Sequence, residues 1–274
     1  MELRALRPLW LLCCCFGGGV RSADPRATFT ATEPRSRERQ ASAFRESLNR
    51  HQYLNSLFPR ENSSAVYGIN QFSYLFPEEF KAIYLRSKSS RLPRYPAEVQ
   101  TSVPNVSLPL RFDWRDKRVV TQVRNQQTCG GCWAFSVTQV KLVRDSEYPF
   151  KAQNGLCHYF SDSQSGFSIK GYSAYDFSDQ EDEMAEALLT FGPLVVVVDA
   201  VSWQDYLGGI IQHHCSSGEA NHAVLITGFD KIGSTPYWIV RNSWGSSWGV
   251  DGYAHVKMGG NICGIADSVS AVFV

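Results

Sequence analysis

The front of the chain carries its apolar residues near the spacing of amphipathic helices. Between residues 37 and 84, apolar positions recur near the helical period, at Phe44, Leu48, Leu54 and Leu57. Residues 77–80 read Pro-Glu-Glu-Phe, which places proline and two acids in the first turn of a second helix. Residues 24–42 are polar and rich in Arg, Ser and Pro, so irregular structure is expected there. The pattern predicts a helical leader.

The pattern changes to short apolar runs separated by glycine-rich turns after residue 107. The runs predicted to be strands are residues 194–198 (LVVVV), 223–228, 237–241 and 253–258. A linker with three prolines, residues 87–107, separates them from the leader. The predicted organisation is therefore a helical leader followed by a mixed body, an α+β protein.

The N-terminus has the features of a secretory signal. Arg4 and Arg7 precede a short apolar stretch over residues 9–16, and small residues follow, which predicts a signal peptide over residues 1–22. This stretch is far shorter than the ~20 apolar residues of a membrane span. Two glycosylation sequons, at Asn62 and Asn105, fit an exported chain.

Overall charge argues against a nucleic-acid partner, because the chain carries a net charge of only +1. The charge is unevenly divided. Residues 1–107 hold 15 basic and 9 acidic residues, and residues 108–274 hold 12 and 17, giving +6 and −5. The two parts could attract each other, or they could be two independently solvated surfaces.

Five cysteines remain after the signal peptide: Cys129, Cys132, Cys157, Cys215 and Cys263. An odd number in an exported protein means that at least one thiol stays unpaired or pairs between chains. Residues 129–132 read Cys-Gly-Gly-Cys, which fits a redox pair, half of a zinc site, or a structural cysteine beside a nucleophile. A zinc site would need a second cysteine pair, and a redox pair would follow a strand, whereas the residues before 129 are polar.

The third interpretation places Cys132 at a helix N-terminus, where the helix dipole stabilises a thiolate. A thiolate nucleophile needs a base and a group that orients the base. His222 begins an apolar strand, and Asn242 comes directly after the next strand along the chain. Adjacent strands could bring the amide against the imidazole. We therefore expect Cys132, His222 and Asn242 to act together.

These blocks resemble the papain-like cysteine proteases. Gln126 with Cys-Trp-Ala-Phe-Ser at 132–136, Asn-His-Ala at 221–223 and Arg-Asn-Ser-Trp-Gly at 241–245 are similar to the signature blocks of that family, and they occur in the right order. Residues 68–72 and 78–80 resemble its inhibitory propeptide. Residues 108–115 resemble its mature N-terminus. The resemblance implies a two-lobed papain-like fold with an inhibitory propeptide over residues 23–107 and a catalytic domain over residues 108–274.

The resemblance also implies roles. Cys132 would be the nucleophile, His222 the base and Asn242 its orienting group, and Gln126 would donate to the oxyanion. Substrate contacts would come from Gly131, Trp133, Asn221, Trp244 and Ser268, and Cys215 would pair with Cys263. The resemblance implies peptide hydrolysis without a metal or cofactor. It further implies a monomer in the lysosome or outside the cell, acting on proteins and peptides and open to cystatin-like inhibitors.

The spacing departs from the family. His222 and Asn242 follow Cys132 by 90 and 110 residues, whereas papain-type enzymes place them roughly 130–150 residues on. The shortfall locates a missing internal segment near residues 137–138, which would truncate the helical lobe. A second hypothesis follows: the chain is a splice-like, inactive variant that binds related proteases through its propeptide. In the leader, Tyr74 stands where the family usually has an acid.

Overall fold

The structure, a computed structural model, describes residues 34–57, 64–86, 102–132, 149–152, 171–213, 215 and 219–273. Its helices are α1 (Pro34–Ser56), α2 (Pro77–Tyr84) and α3 (Glu181–Phe191), with short 3₁₀ turns at Trp114–Lys117, Val201–Asp205 and Ile262–Gly264. The strands are β1 (Val66–Tyr67), β2 (Arg111–Asp113), β3 (Gly171–Tyr175), β4 (Leu194–Val198), β5 (Tyr206–Gly208), β6 (Ile210–Ile211), β7 (His222–Asp230), β8 (Tyr237–Arg241), β9 (Tyr253–Lys257) and β10 (Val269–Phe273). The proposed signal peptide, Asn62, Trp133, Cys157 and the join at 137–138 lie outside the described residues.

The leader is less continuously helical than its sequence predicts. Helix α2 begins at Pro77 as expected, and the Glu79 carboxylate accepts a hydrogen bond from the Phe76 N–H at its first turn. The helical pattern does not run through to residue 84, because α1 ends at Ser56 and β1 intervenes. The expectation of irregular structure over residues 24–42 is wrong from Pro34 onward, where α1 begins.

Helix α1 was hard to delimit from sequence because its buried stripe is small and polar. Ala43, Ser47 and His51, four residues apart, are 1%, 0% and 6% exposed. Residues at this spacing lie on one face of a helix. That face packs on the body, so tertiary contacts rather than an apolar period determine where the helix forms.

The body is built on one large sheet with the strand order β3-β10-β4-β7-β8-β9-β6. Its pairs are antiparallel except β6 with β9, and β2 lies against β7. The register pairs His222 with Val198 on β4 and Arg241 with Leu225 on β7. His222 therefore lies at the start of β7, and Asn242 comes directly after β8. A Cβ at Gly228 would lie 2.4 Å from the Phe112 carbonyl oxygen, so only glycine admits β2 this close.

The core lies along both faces of β4 and β7 and against α3. Trp203, Trp238, Trp244 and Trp248 are fully buried. Glu181, at the first turn of α3, accepts hydrogen bonds from the Trp238 indole and from the backbone N–H groups of residues 259 and 261. These bonds satisfy a buried carboxylate, because such a group is costly when it has no partner.

The predicted disulfide between Cys215 and Cys263 is confirmed. It ties the segment before β7 to the 3₁₀ turn before β10. In the part of the chain that the structure describes, no helix is both long and apolar enough to cross a bilayer. Asn105 is exposed, as a glycosylation site must be.

Candidate active site

His222 and Asn242 meet at one end of the sheet. The imidazole Nε2 lies 2.8 Å from the Asn242 side-chain oxygen. Both residues are buried, at 0% and 3% exposure. The register described above brings them together, because β7 begins with one residue and β8 ends immediately before the other. The predicted contact between base and orienting amide is therefore present.

A second hydrogen bond fixes the orientation of the amide and with it the protonation of the imidazole. The backbone N–H of Ser243 donates to the same Asn242 atom, at 2.7 Å. An atom that accepts from a backbone N–H is the amide oxygen, so the Nε2 of His222 must carry a proton and donate to it. The other ring nitrogen, Nδ1, is buried and has no hydrogen-bond partner among the described residues. In the neutral ring, Nδ1 holds the lone pair that can accept a proton.

Trp244 covers this pair. Its ring stacks on the imidazole, with centroids 4.7 Å apart and planes 25° from parallel. Its other neighbours include Phe72 and Phe80 of the leader, both edge-on, at 5.5 and 5.2 Å. The indole is fully buried. Water is thus kept from the hydrogen bond between His222 and Asn242, which strengthens it.

The segment that carries Cys132 is held against the residues that follow β8. The backbone N–H of Gln126 donates to the Ser243 carbonyl at 2.7 Å, and the Gly245 N–H donates to the Arg124 carbonyl at 3.1 Å. Asn125 and Trp244 form an isolated β-bridge. Cys132 is fully buried and has helical backbone, and it is the last described residue before residue 149. The rest of the helix predicted after it lies outside the described residues.

The Gln126 side chain is oriented as an oxyanion donor would need. The Ser243 hydroxyl donates to the side-chain carbonyl oxygen of Gln126 at 2.6 Å, so the NH₂ group of the same amide points away from Ser243. That NH₂ group donates to the carbonyl oxygens of Cys129, at 3.1 Å, and Tyr84, at 3.2 Å. Tyr84 is the last residue of α2, and burial raises the pKa of its phenol. A backbone carbonyl of the leader therefore accepts a hydrogen bond from the Gln126 NH₂ group.

The remaining site residues predicted from sequence lie in different surroundings. Gly131 is buried beside Cys132, and Ser268 is half-buried, its carbonyl accepting from the N–H of Val197 on β4. Asn221 is buried, and its side-chain amide donates to Asp199 at 2.9 Å while its oxygen accepts from the Ala200 N–H at 3.0 Å. The Asn221 side chain thus anchors the start of β7 on the end of β4.

Sequence reasoning missed two polar side chains of this site. Ser243 orients Gln126, and Asp199 holds Asn221. Ser243 stands inside the Arg-Asn-Ser-Trp-Gly block, so its position beside Asn242 was a signal that could have been used. Asp199 follows an apolar strand by one residue and has no comparable signal.

The chain from residue 108 onward matches a known protein family. The family model described as "Papain family cysteine protease" matches residues 108–141 and 137–273. The chain belongs to the papain family of cysteine proteases. The two matched ranges meet where the sequence departs from the family's spacing, at residues 137–141. The predicted family, its α+β papain-like fold and the class of enzyme, a cysteine peptidase, are confirmed.

Among curated proteins of the papain family, human cathepsin O is 72% identical, with 100% of each chain covered. Mouse cathepsin O is 64% identical over 87% of this chain and 91% of its own. The alignment with the human protein spans 325 positions, and this chain has 274 residues, a difference of 51. At least that many positions of the alignment have no residue here.

Solved structures with the same fold include precursors. A digestive procathepsin L 3 from the larval midgut of Tenebrio molitor has a TM-score of 0.75 and 28% identity, covering 89% of this chain and 94% of its own. A recombinant stem bromelain precursor has a TM-score of 0.70 and 26% identity, over 89% and 93%. These matches extend over the leader as well as the body, because the body alone is too short to give such coverage.

Proposed function

We propose that this papain-family peptidase hydrolyses peptide bonds through a thiolate–imidazolium pair formed by Cys132 and His222. The observation that carries the proposal is the fixed tautomer of His222, whose Nε2 proton is held by Asn242 and whose Nδ1 is left without a hydrogen-bond partner among the described residues. A buried ring nitrogen in this state is a base that lacks its acid. The Cys132 thiol, buried on a segment tied to residues 243–245, is the acid we assign to it.

In the proposed reaction, the Cys132 thiol gives its proton to His222 Nδ1, and the thiolate attacks the peptide carbonyl carbon. The carbonyl oxygen becomes an oxyanion, which accepts hydrogen bonds from the Gln126 NH₂ group and the Cys132 backbone N–H. As the C–N bond breaks, the imidazolium returns its proton to the leaving amine. Water, deprotonated by the same imidazole, then hydrolyses the thioester and releases the acid and the thiol.

The leader, proposed as residues 23–107, keeps the enzyme inactive as a zymogen. Supporting this, the Tyr84 carbonyl accepts from the Gln126 NH₂ group that the oxyanion would otherwise use. The Gln71 amide donates to the Trp244 carbonyl at 2.8 Å and the Ser247 hydroxyl donates to Gln71 at 3.1 Å, so the leader is bound on this side of the site. A peptide substrate and the leader cannot both use the Gln126 NH₂ group.

The division of charge between leader and body contributes at one described point. Arg50 of α1 and Asp205 form an ion pair, with the carboxylate 1% exposed. The Ser47 hydroxyl also donates to this carboxylate at 3.2 Å, and the His51 Nε2 lies 3.1 Å from it. The leader contacts with Gln126 and Trp244 are apolar or involve neutral amides. We therefore propose that packing, with this one ion pair, holds the leader on the body, and that the opposite net charges contribute mainly before contact.

The expected setting is the secretory pathway, leading to the lysosome or to the outside of the cell. The disulfide and the exposed sequon at Asn105 support an oxidising, exported environment. Proteins and peptides are the proposed substrates, cystatin-like proteins the proposed inhibitors, and a monomer the proposed state. The alternative of a non-catalytic protease-binding protein finds no support among the relatives, which are proteases by name.

Labelling with an epoxide that alkylates active thiols tests the proposal. After acid treatment, purified protein should be labelled at Cys132, located by peptide mass spectrometry. Cys132→Ser should abolish labelling and His222→Ala should slow it, whereas Cys129→Ser, three residues away, should label at a rate close to that of the unsubstituted protein. Equal labelling of Cys132 in the His222→Ala variant would show that the imidazole does not ionise the thiol.

A further inference from the structure

Among the described strands, the start of β7, where His222 lies, pairs on one side. Residues 222–226 pair with β4, whereas pairing with β8 begins only at Leu225. The pair of His222 with Val198 is the last one in that direction, because β4 ends and β7 begins there. The backbone at the end of a strand pair opens more easily than the backbone in its middle. The position of the His222 ring therefore depends on what joins the two strand ends.

A side-chain bridge joins those two ends. The Asn221 NH₂ group donates to the Asp199 carboxylate at 2.9 Å, and the Asn221 side-chain oxygen accepts from the Ala200 N–H at 3.0 Å. The backbone N–H of Asn221 donates to the Val198 carbonyl at 2.9 Å. Asp199 and Asn221 are 3% and 7% exposed. Hydrogen bonds shielded from water in this way are strong, and a group left unpaired in such a place is costly.

Asp199 is itself held by backbone groups of other segments. Its N–H donates to the Cys263 carbonyl at 2.9 Å, and Cys263 forms the disulfide with Cys215. Its carboxylate also accepts from the Val201 N–H at 3.2 Å, at the start of the 3₁₀ turn Val201–Asp205. Asp199 is therefore a fixed point on the body, and the Asn221 side chain is bound to it.

We propose that Asp199 is a positioning residue for His222 and that it acts through Asn221. By binding the Asn221 side chain at the end of β4, it keeps the first residue of β7 in place, so that the imidazole Nε2 stays 2.8 Å from the Asn242 side-chain oxygen. The inference rests on the proposed function only in taking His222 as the base. Asp199 holds the neighbour of the base and takes no part in the proton transfers.

Nuclear magnetic resonance of ¹⁵N-labelled histidine tests this without catalysis, in the Cys132→Ser chain. The His222 signals are assigned by their loss in His222→Gln. In the parent chain Nε2 should carry the proton, and this proton should exchange slowly with water. Asp199→Ala should speed the exchange by about fivefold or more, because it removes a hydrogen bond that keeps the strand ends closed. An unchanged exchange rate would overturn the proposal.

Asn221→Ala breaks the bridge while leaving the bond from the Val201 N–H to the Asp199 carboxylate in place. It should speed the exchange of the His222 proton to a similar extent, and Asp199→Ala/Asn221→Ala should exchange no faster than either single variant. Additive effects would mean that Asp199 reaches His222 by a route other than Asn221, against the proposal. If Asp199→Ala does not fold, Asn221→Ala decides the matter, since an unchanged rate there also overturns it.

Glu181→Ala is the matched control for a general loss of stability. Glu181 is also a buried carboxylate, and its hydrogen bonds come from residues 238, 259 and 261. Its loss should lower Tm and leave the His222 exchange rate as in the parent. Asp199→Asn keeps an oxygen that can accept from Asn221, so it should restore most of the slow exchange. Equal acceleration in Glu181→Ala and Asp199→Ala would contradict a positioning role.

Peptide hydrolysis by acid-treated protein with Cys132 intact gives the functional measurement. Asp199→Ala should lower kcat by about fivefold or more with little change in KM, because the bridge orients the base and binds no part of the peptide. An unchanged kcat would contradict the proposal. If the unsubstituted protein shows neither hydrolysis nor epoxide labelling, the proposed function fails, and the exchange rates still decide whether Asp199 positions His222.

Discussion

The two halves of the candidate active site are held in place by different means. His222 and Asn242 are positioned by paired strands, because β7 starts at one and β8 ends beside the other. Gln126 and Cys132 lie on a segment without strand pairing of its own, fixed by hydrogen bonds to residues 243 and 245. The half that carries the proposed base therefore depends on the sheet, whereas the half that carries the proposed nucleophile depends on the loop that follows β8.

This difference makes the loop after β8 the link between the halves. Asn242 faces His222, and the next residue, Ser243, binds Gln126 through both its hydroxyl and its carbonyl. Trp244 covers the imidazole on the same turn. Consecutive residues of this loop therefore contact the two different halves of the site. A substitution in this loop can be chosen to disturb one half without the other.

The largest effect is expected from Asn242→Ala, which removes the acceptor that holds the Nε2 proton of His222. Without it the imidazole can rotate or adopt the wrong tautomer, and kcat/KM should fall by at least on the order of 10²-fold, the direction seen when a triad loses its orienting group. Hydrolysis of a fluorogenic peptide by acid-treated protein measures this. Asn242→Asp keeps an acceptor for both N–H donors, so it should lose less; equal losses would show that the acceptor is unimportant.

Gln126→Ala should affect the half that carries Cys132, and there it should reduce only the stabilisation of the oxyanion. Loss of one such donor lowers kcat by about 10²-fold or more. Alkylation of Cys132 by an epoxide forms no tetrahedral oxyanion, so labelling should continue at a rate close to that of the unsubstituted protein while peptide hydrolysis falls. Parallel loss of both activities would mean that Gln126 supports the ionised thiol or the fold instead.

Ser243→Ala should have a smaller effect, because it removes a hydrogen bond to Gln126 and leaves the amide in place. The net value of such a bond, about 0.5–1.5 kcal/mol, corresponds to a loss of peptide hydrolysis between about twofold and roughly tenfold. Ser247→Ala, four residues on, removes an exposed hydroxyl that donates to Gln71 of the leader. This control should leave hydrolysis by leader-free or acid-treated protein unchanged. An unchanged rate in Ser243→Ala would show that Gln126 needs no orientation.

Much of the sheet could be predicted, because its strands are short apolar runs between turns. The predicted strands at 194–198 and 237–241 have the observed bounds, and that at 223–228 lies within β7. The pair of His222 and Asn242 followed from their places at strand ends. Helix α1 could not be delimited, since its buried face consists of Ala43, Ser47 and His51, which become buried only against the body.

The leader's contribution to the core could not be read from local pattern either. Phe72 and Phe80 have the spacing of ordinary helix and turn residues, and their contacts with Trp244 join positions more than 160 residues apart. The clustering of Asp205 with Arg50 and His51 has the same origin. Propensity and periodicity describe neighbours along the chain, whereas these contacts depend on how the whole chain packs.

The smallest predicted effect is on how far the stability of the sheet falls in acid. The His255 ring on β9 lies against Tyr237, with ring centroids 4.5 Å apart and planes 34° from parallel. Burial, with help from the Arg115 charge, lowers the pKa of His255, against the opposing charges of Asp230 and Asp113. Its native pKa is below its unfolded value, so the unfolded chain takes up the proton first. The stability that the neutral ring contributes is present above the ordinary histidine pKa of about 6.5 and is lost as the pH falls through the lowered native value.

His255→Gln should therefore narrow the drop in Tm between pH 7.5 and pH 5, measured by differential scanning calorimetry on the Cys132→Ser background. His213, on the segment after β6, is the comparison position: His213→Gln should leave the drop as it is in the parent if burial on β9 is the cause. A Tm difference that is the same in His255→Gln and the parent would place the acid sensitivity elsewhere.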